Sequence, residues 1–267
     1  MSADIKKLRN RIKSVNSTLQ LTKAMGLVAS SKIRRALEGM NKAKQYVNAV
    51  NDSVSDLCGN KECKTSPYMT VREGGKTRLV VIAGDRGLAG GYNANVFRLS
   101  KEYSDAEIIP VGKRACERFG KDILLTEGVS FKECRKISDE ICDDFKNGKF
   151  DKFGIIMTKY NSIMSQEAQV VWVLPLVDGN KEKNNGMIFE PDEVSVLNTV
   201  IPEYVAGVIY AAVKESFASE VAARRVAMDS AGKNAQQMID ELGLLYNRAR
   251  QGSITQVITE IVAGSDV

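Results

Sequence analysis

The chain has 267 residues, 43% hydrophobic and 27% charged, with a formal net charge of +5, which suits one sizeable core and the ordinary charge content of a soluble protein. It contains no histidine, so His-based metal sites, Ser-His or Cys-His nucleophilic catalysis and imidazole acid–base chemistry are excluded. Residues 1–10 carry no basic–apolar–small cleavage pattern and no run of 18 apolar residues occurs, which leads us to expect a protein that is neither secreted nor membrane-spanning.

From residue 5 to 57 the sequence keeps an unbroken heptad repeat without proline. One seam position reads Ile5, Ile12, Leu19, Gly26, Ile33, Met40, Val47, Val54; the other reads Leu8, Val15, Thr22, Ala29, Ala36, Ala43, Val50, Leu57. Only Gly26 and Thr22 break the apolar rule. So narrow a stripe of period 3.5 is the mark of a coiled-coil seam, whereas a helix on a globular core needs a wider face. At about 1.5 Å per residue the helix would be roughly 80 Å long. It needs a partner.

The middle has a different period. Residues 79–83 form a short apolar strand, followed by the glycine-rich turn Gly84-Asp85-Arg86-Gly87-Leu88-Ala89-Gly90-Gly91 and an amphipathic helix over 94–103. Next come a strand over 107–111, a helix over 113–119, a short strand over 123–125 and a helix over 137–145. Residues 153–158 and 168–174 read as strands, the second alternating like an edge strand. Strands alternating with helices predict a mostly parallel sheet with helices on its faces. The polar run 178–186 reads as a loop.

The partner helix lies at the far end. Phe217, Val221, Met228, Ala231, Ala235, Met238, Leu242, Leu245 and Ala249 follow alternating four- and three-residue steps, interrupted by Arg224, and no proline follows Pro202. A helix beginning near Pro202 and running toward Thr259 is predicted. Two terminal helices flanking a domain that folds back on itself pair antiparallel. The small residues on both seams (Gly26, Ala29, Ala36, Ala43; Ala231, Ala235, Ala249) allow close approach. The fold class is α/β: a long antiparallel coiled coil of N- and C-terminal helices (1–60 and 202–267) with a central α/β domain (77–180).

Charge and cysteine usage narrow the function. Residues 1–50 hold eleven Lys and Arg against Asp4 and Glu38, a one-signed excess that calls for an acidic partner, since a merely soluble helix mixes signs for i,i+4 pairing. Nucleic acid is one such partner and an acidic protein surface another; Tyr46 is the only aromatic in the segment, which argues against nucleic acid. The five cysteines (Cys58, Cys63, Cys116, Cys134, Cys142) are odd in number and irregularly spaced. Thiols in a reducing compartment fit them better than a disulfide frame, with a Cys58–Cys63 redox pair the lesser alternative. The glycine-rich turn sits where backbone N–H groups could cradle a phosphate. It matches neither G-x-G-x-x-G nor a P-loop, however, and the strand after it leads into Gly112-Lys113 without an acid for a ribose. A tight turn that exploits glycine's positive φ accounts for it better.

Several segments resemble the gamma subunit of rotary ATP synthases. They are Ile12-Lys13-Ser14-Val15, Leu21-Thr22-Lys23-Ala24-Met25, Val28-Ala29-Ser30-Ser31-Lys32, the turn Asp85-Arg86-Gly87-Leu88-Ala89-Gly90-Gly91-Tyr92-Asn93, and the ending Tyr246-Asn247-Arg248-Ala249-Arg250-Gln251-Gly252-Ser253-Ile254-Thr255-Gln256. The resemblance implies a shaft without catalytic, metal or cofactor residues of its own. That shaft would turn inside a hexamer of alternating alpha and beta subunits, with the α/β domain at its foot beside the epsilon subunit and the c-ring. It would convert the torque of a proton- or ion-driven ring into conformational cycling of the catalytic beta subunits, from a peripheral position on the cytoplasmic face of the inner cell membrane. Carried over on matching positions, Met25 and Lys23 would meet the acidic beta-subunit loop, and Arg224, Arg250, Gln251 and Thr255 would meet the upper beta-subunit loops.

The chain departs from that pattern at Gly26, Gly232, Gly243 and Gly252, which replace commoner non-glycine residues, and at Val257, which replaces an acid. Each interior glycine costs a helix roughly 0.5–1 kcal/mol relative to alanine, so a softer shaft is expected. Two other classes account for single features: a basic coiled-coil nucleic-acid-binding protein for the N-terminal segment, and a nucleotide-dependent enzyme for the α/β middle. Neither accounts for both termini together.

Overall fold

The computed structural model describes residues 2–72, 74–121, 124–176 and 189–265. With no proline to interrupt it, helix α1 runs unbroken over Ser2–Cys58. Every heptad seam position predicted for it is buried or half-buried, while Leu21, Leu27 and Val28 beside the seam are exposed. At the other end, α5 runs over Glu193–Ser265. The chain divides into two compact units, Met1–Ala29 with Arg224–Val267, and Ser30–Ala223.

In the larger unit, strands β1 (Thr77–Ile82), β2 (Glu107–Val111), β3 (Lys152–Tyr160) and β4 (Gln166–Leu174) form one sheet in the order β2-β1-β3-β4. β1 is parallel to β2 and β3, and β4 is antiparallel to β3, so the sheet is mostly parallel, as expected. β1 is buried on both faces. Val80 and Ile82 pack with Ile141, Phe145, Leu197, Ile201 and Val205, drawn from α4 (Phe131–Lys146) and α5. Leu79, Val81 and Ala83 pack with Val96 and Ala115, from α2 (Tyr92–Lys101) and α3 (Lys113–Phe119). A sheet enclosed on both faces explains why 79–83 reads as a continuous apolar run.

The largest departures from the sequence reading concern three elements. The helix placed at 137–145 starts at Phe131, because Ser130 and Glu133 form a reciprocal capping box that opens it. The C-terminal helix starts at Glu193, not near Pro202. Asp192 caps it, accepting from Ser195 N–H at 2.8 Å, and Pro202 lies inside the helix. Leu197, Ile201, Val205 and Ile209 recur at four-residue steps and are fully buried, so packing of this first stretch outweighs the local penalty of the proline. Leu124 and Leu125 belong to no strand; Ile123, and the loop expected over 178–186, lie outside the described residues.

Helix α5 holds an 18-residue window of mean hydropathy 1.5, long and apolar enough to cross a membrane, and half of that window is buried inside the protein. Much of its apolarity therefore serves the core. All five cysteines are buried thiols outside any disulfide. Burial pushes the Cys134 thiol up to about 12 and the Cys142 thiol up to about 11, which leaves both protonated and unreactive near neutral pH.

Within the larger unit α1 and α5 meet antiparallel. Gly207 faces Tyr46 and Val47, Tyr204 Oη donates to Asn51 Oδ1 at 3.2 Å, and Lys44 Nζ donates to Glu215 Oε1 at 2.7 Å. Within the smaller unit, Gly26 faces Met228, and Gly232 faces Thr22 and Leu19. Numbers fall along one helix as they rise along the other, so this pair is antiparallel too. The α5 seam differs from the sequence reading by one residue at alternate steps. Ile239 and Tyr246 are half-buried, whereas Met238 and Leu245 are 39% and 51% exposed. The seam therefore runs Met228, Gly232, Ala235, Ile239, Leu242, Tyr246, Ala249.

Candidate functional site

Two places were candidates for function, and the glycine-rich turn is the simpler. It leaves the end of β1, and the Asp85 carboxylate takes the neighbouring amides for itself. Oδ1 accepts from Lys113 N–H at 3.1 Å; Oδ2 accepts from Thr126 N–H and Glu127 N–H, each at 3.0 Å, and from Thr126 Oγ1 at 2.9 Å. Asp85 thus ties the turn to the start of α3 and to residues 126–127, and the Gly84 N–H donates to Asn93 Oδ1 at 2.8 Å. Close packing restricts both Gly84, where the Glu220 side chain would have to shift, and Gly112 beside the turn, where backbone leaves no room for a side chain. A Cβ on Gly84 would lie 2.7 Å from the Glu220 carboxyl carbon, and one on Gly112, whose φ is +94°, would lie 1.9 Å from the Ala83 carbonyl oxygen. Glu127 in turn pairs with Lys32 of α1 and with Arg86 of the turn. The turn is an internal junction.

The second candidate is the surface of the smaller unit. Lys23 is exposed and Met25 half-buried, and the pairing of Gly26 with Met228 and of Thr22 with Gly232 sets both beside residues 228–232 of α5. Arg224, half-buried, lies one turn away on α5. Arg250, Gln251 and Thr255 are exposed and form a separate group, about 33 Å farther along α5 at 1.5 Å per residue. Thr255 Oγ1 donates to Gln251 O at 3.0 Å, inside its own helix. The six expected contact residues therefore fall at two levels. The basic excess divides as well. Lys32, Arg34 and Lys44 have acidic partners in Glu127, Glu38 and Glu215. Lys6, Lys7, Arg9, Arg11, Lys13 and Lys23 have none among the described residues, leaving a positive face on α1.

Seam reasoning missed one feature of this surface. Ile254, Val257, Ile258 and Ile261 are 49–65% exposed and spaced i, i+3, i+4, i+7, an apolar stripe on one face of the last turns of α5. The spacing is legible in the sequence, but the predicted seam ends at Ala249. A stripe left in water on an otherwise patterned helix marks a contact surface.

A mostly parallel α/β sheet unit, together with a unit in which the two terminal helices pair antiparallel, defines an α/β protein with a long coiled coil. Comparison with known proteins makes this specific. The family model described as ATP synthase matches residues 4–266. The ATP synthase gamma chain of Ruminococcus albus is 41% identical over 281 residues, covering 98% of each chain. The sodium-ion-specific ATP synthase gamma chain of Acetobacterium woodii is 36% identical, covering all of this chain and 99% of its own. Among solved structures, a chain of the Euglena gracilis mitochondrial ATP synthase superposes with a TM-score of 0.70 at 18% identity, over 98% of this chain and 94% of its own. A chain from the central stalk and c-ring structure of the Tetrahymena thermophila enzyme gives 0.65 at 23% identity, over 79% of this chain and 99% of its own. The chain belongs to the ATP synthase gamma chain family, and as such is a non-catalytic subunit of that complex.

Proposed function

We propose that this chain is the central rotor shaft of an ion-translocating ATP synthase: the smaller unit sits in a collar of alternating alpha and beta subunits, and the sheet domain sits at the foot beside the epsilon subunit and the c-ring. The chain itself lies peripheral to the cytoplasmic face of the inner membrane, held there through the complex. The observation that carries this reading is the apolar stripe Ile254–Val257–Ile258–Ile261 at the end of α5. A buried aliphatic side chain contributes roughly 1.5–3 kcal/mol, so these half-exposed residues would add roughly 1 kcal/mol each on entering an apolar collar. Lys23 and Met25 meet the acidic beta-subunit loop, and Arg224, Arg250, Gln251 and Thr255 meet the upper beta-subunit loops, Arg224 from the level of Lys23 and Met25. The mechanism needs no catalysis by this chain. An asymmetric shaft contacts each catalytic site differently at a given angle, and rotation moves that differential contact free energy from site to site, shifting each between its conformations in turn.

Co-purification tests the assignment. Tagged chain should bring down alternating alpha and beta subunits around a single copy of itself, with epsilon and the c-ring retained in mild detergent. Ile258→Ser with Ile261→Ser should weaken retention of alpha and beta while leaving epsilon bound. A tagged chain that recovers none of these subunits would defeat the reading.

A further inference from the structure

β3 is longer than the strand beside it. Its pairing with β1 ends at Val81↔Ile156, and by the two-residue repeat of a strand the backbone groups of Thr158 and Tyr160 face the same side as those of Ile156. No β1 residue pairs with them, yet Thr158 is only 3% exposed. Bare backbone groups in such a place are costly. Helix α5 supplies the partners. Thr158 N–H donates to Ser216 Oγ at 3.2 Å, Ser219 Oγ donates to Thr158 O at 3.0 Å, and Tyr160 N–H donates to Glu215 Oε1 at 3.0 Å. Three side chains within about one turn of α5 therefore continue the ladder that β1 leaves off. Tyr92 of α2 adds a bond from its hydroxyl to Ser216 O at 3.0 Å.

The same Glu215 oxygen also accepts from Lys44 Nζ of α1 at 2.7 Å. One carboxylate thus joins the sheet and both long helices. The rest of the contact at this level is apolar, with Ala36 and Met40 against Ala218. Such packing is non-directional and resists separation better than sliding, whereas an ion pair and aligned hydrogen bonds fix register and angle.

We propose that Glu215 is a positioning residue for rotation. It locks α5 to the end of β3, and α1 to α5 through Lys44, so that the sheet domain turns both helices together. This rests on the shaft reading. A turning force on the sheet reaches α5 through Thr158 and Tyr160, and reaches α1 through the Lys44–Glu215 pair.

The test uses the assembled complex in proteoliposomes. Lys44→Met removes only the α1 arm, and because the Lys44 side chain is 39% exposed its loss leaves the core intact. Glu215→Gln keeps an acceptor for Tyr160 N–H while removing the charge that holds Lys44. Two quantities are read: ions transported per ATP hydrolysed, and the angular spread of a bead fixed to the sheet domain of stalled, surface-held complexes. In both variants ATP hydrolysis should persist while the bead's angular distribution widens and transport per ATP falls. The double variant should be no worse than either single, and Lys44→Arg should restore the wild-type values. Wild-type spread and transport ratio in Lys44→Met and Glu215→Gln would overturn the proposal. A wild-type complex whose bead never turns once ATP is supplied and the stall is lifted would instead defeat the shaft reading.

Discussion

The two seam glycines allow a quantitative test of helix register. Gly26 and Gly232 look like weak points, since glycine inside a helix costs about 0.8–1.0 kcal/mol relative to alanine. Each faces the opposite helix, but with room to spare. A Cβ on Gly26 would lie 3.6 Å from Met228 Cβ, and one on Gly232 would lie 3.6 Å from Thr22 Oγ1 and 3.9 Å from Leu19 Cδ1. These are ordinary van der Waals separations, so alanine fits without overpacking. The two sites touch different partners, so their effects should add. Gly26→Ala with Gly232→Ala should therefore stabilise the paired segments by about 1.6–2 kcal/mol, which corresponds to roughly 15–30-fold slower amide exchange at about 1.36 kcal/mol per decade. Hydrogen exchange over residues 15–29 and 228–240 reads this directly. Gly243→Ala serves as a control, because a Cβ there meets nothing within 4 Å and only propensity changes. If Gly243→Ala slowed exchange while the seam substitutions hastened it, the new methyls would be colliding and the register would be wrong.

Three further outcomes follow from buried groups. Ala36→Asp sets an unpaired carboxylate among Leu37, Met40, Phe217 and Ala218 and should destabilise the larger unit by on the order of 3–5 kcal/mol; an unchanged thermal melt by circular dichroism would count against the seam. Asp85→Ala strips the acceptor from three amides around buried Thr126 and should lower stability by about 2–3 kcal/mol in denaturant titration, with Asp85→Asn recovering part. Asp144 is held below the ordinary carboxylate range by hydrogen bonds from Lys149, then from Arg78. A carboxylate depressed in the folded state contributes stability that is full above the unfolded value of about 3.9 and is lost as pH falls through the lower folded value. Asp144→Asn should therefore lower stability at pH 7 and flatten the acid limb of the stability curve; an identical acid limb in both proteins would contradict this.

Much of this architecture is legible in the sequence because hydrophobic period reports burial directly. The α1 seam was readable position by position, since one narrow stripe stays buried or half-buried from Ile5 to Leu57 even where Val54 and Leu57 join the core of the sheet unit. The α5 seam was harder: its first half serves a sheet as well as a helix, and Ala231, Met238 and Leu245 imitate seam residues that Gly232, Ile239 and Tyr246 occupy. Glycine is invisible to a hydrophobic count, although here its small size is what the seam uses. The start of α5 was misplaced because Pro202 is a stronger textual signal than Asp192, while tertiary packing of Leu197 and Ile201 decides the outcome. The Lys44–Glu215–Tyr160 junction had no sequence signal at all. It joins residues 171 positions apart, and an acid on a helix reads as surface until the strand end it satisfies is known.

Rotation itself is tested most directly by a reversible tether. Gly252→Cys places a thiol on an exposed part of α5, and Arg35→Cys places one on an exposed part of α1. The five native cysteines are buried and do not compete. A facing cysteine on one beta subunit, with Cα atoms within about 7 Å, allows a disulfide to form. Two positions are needed because a helix can unwind near its end and let the remainder turn. ATP turnover and ion transport should fall in proportion to cross-link yield at Arg35→Cys, and dithiothreitol should restore both. Fully cross-linked complexes at both positions that hydrolyse ATP and transport ions as fast as the dithiothreitol-treated complexes would show that this chain does not turn.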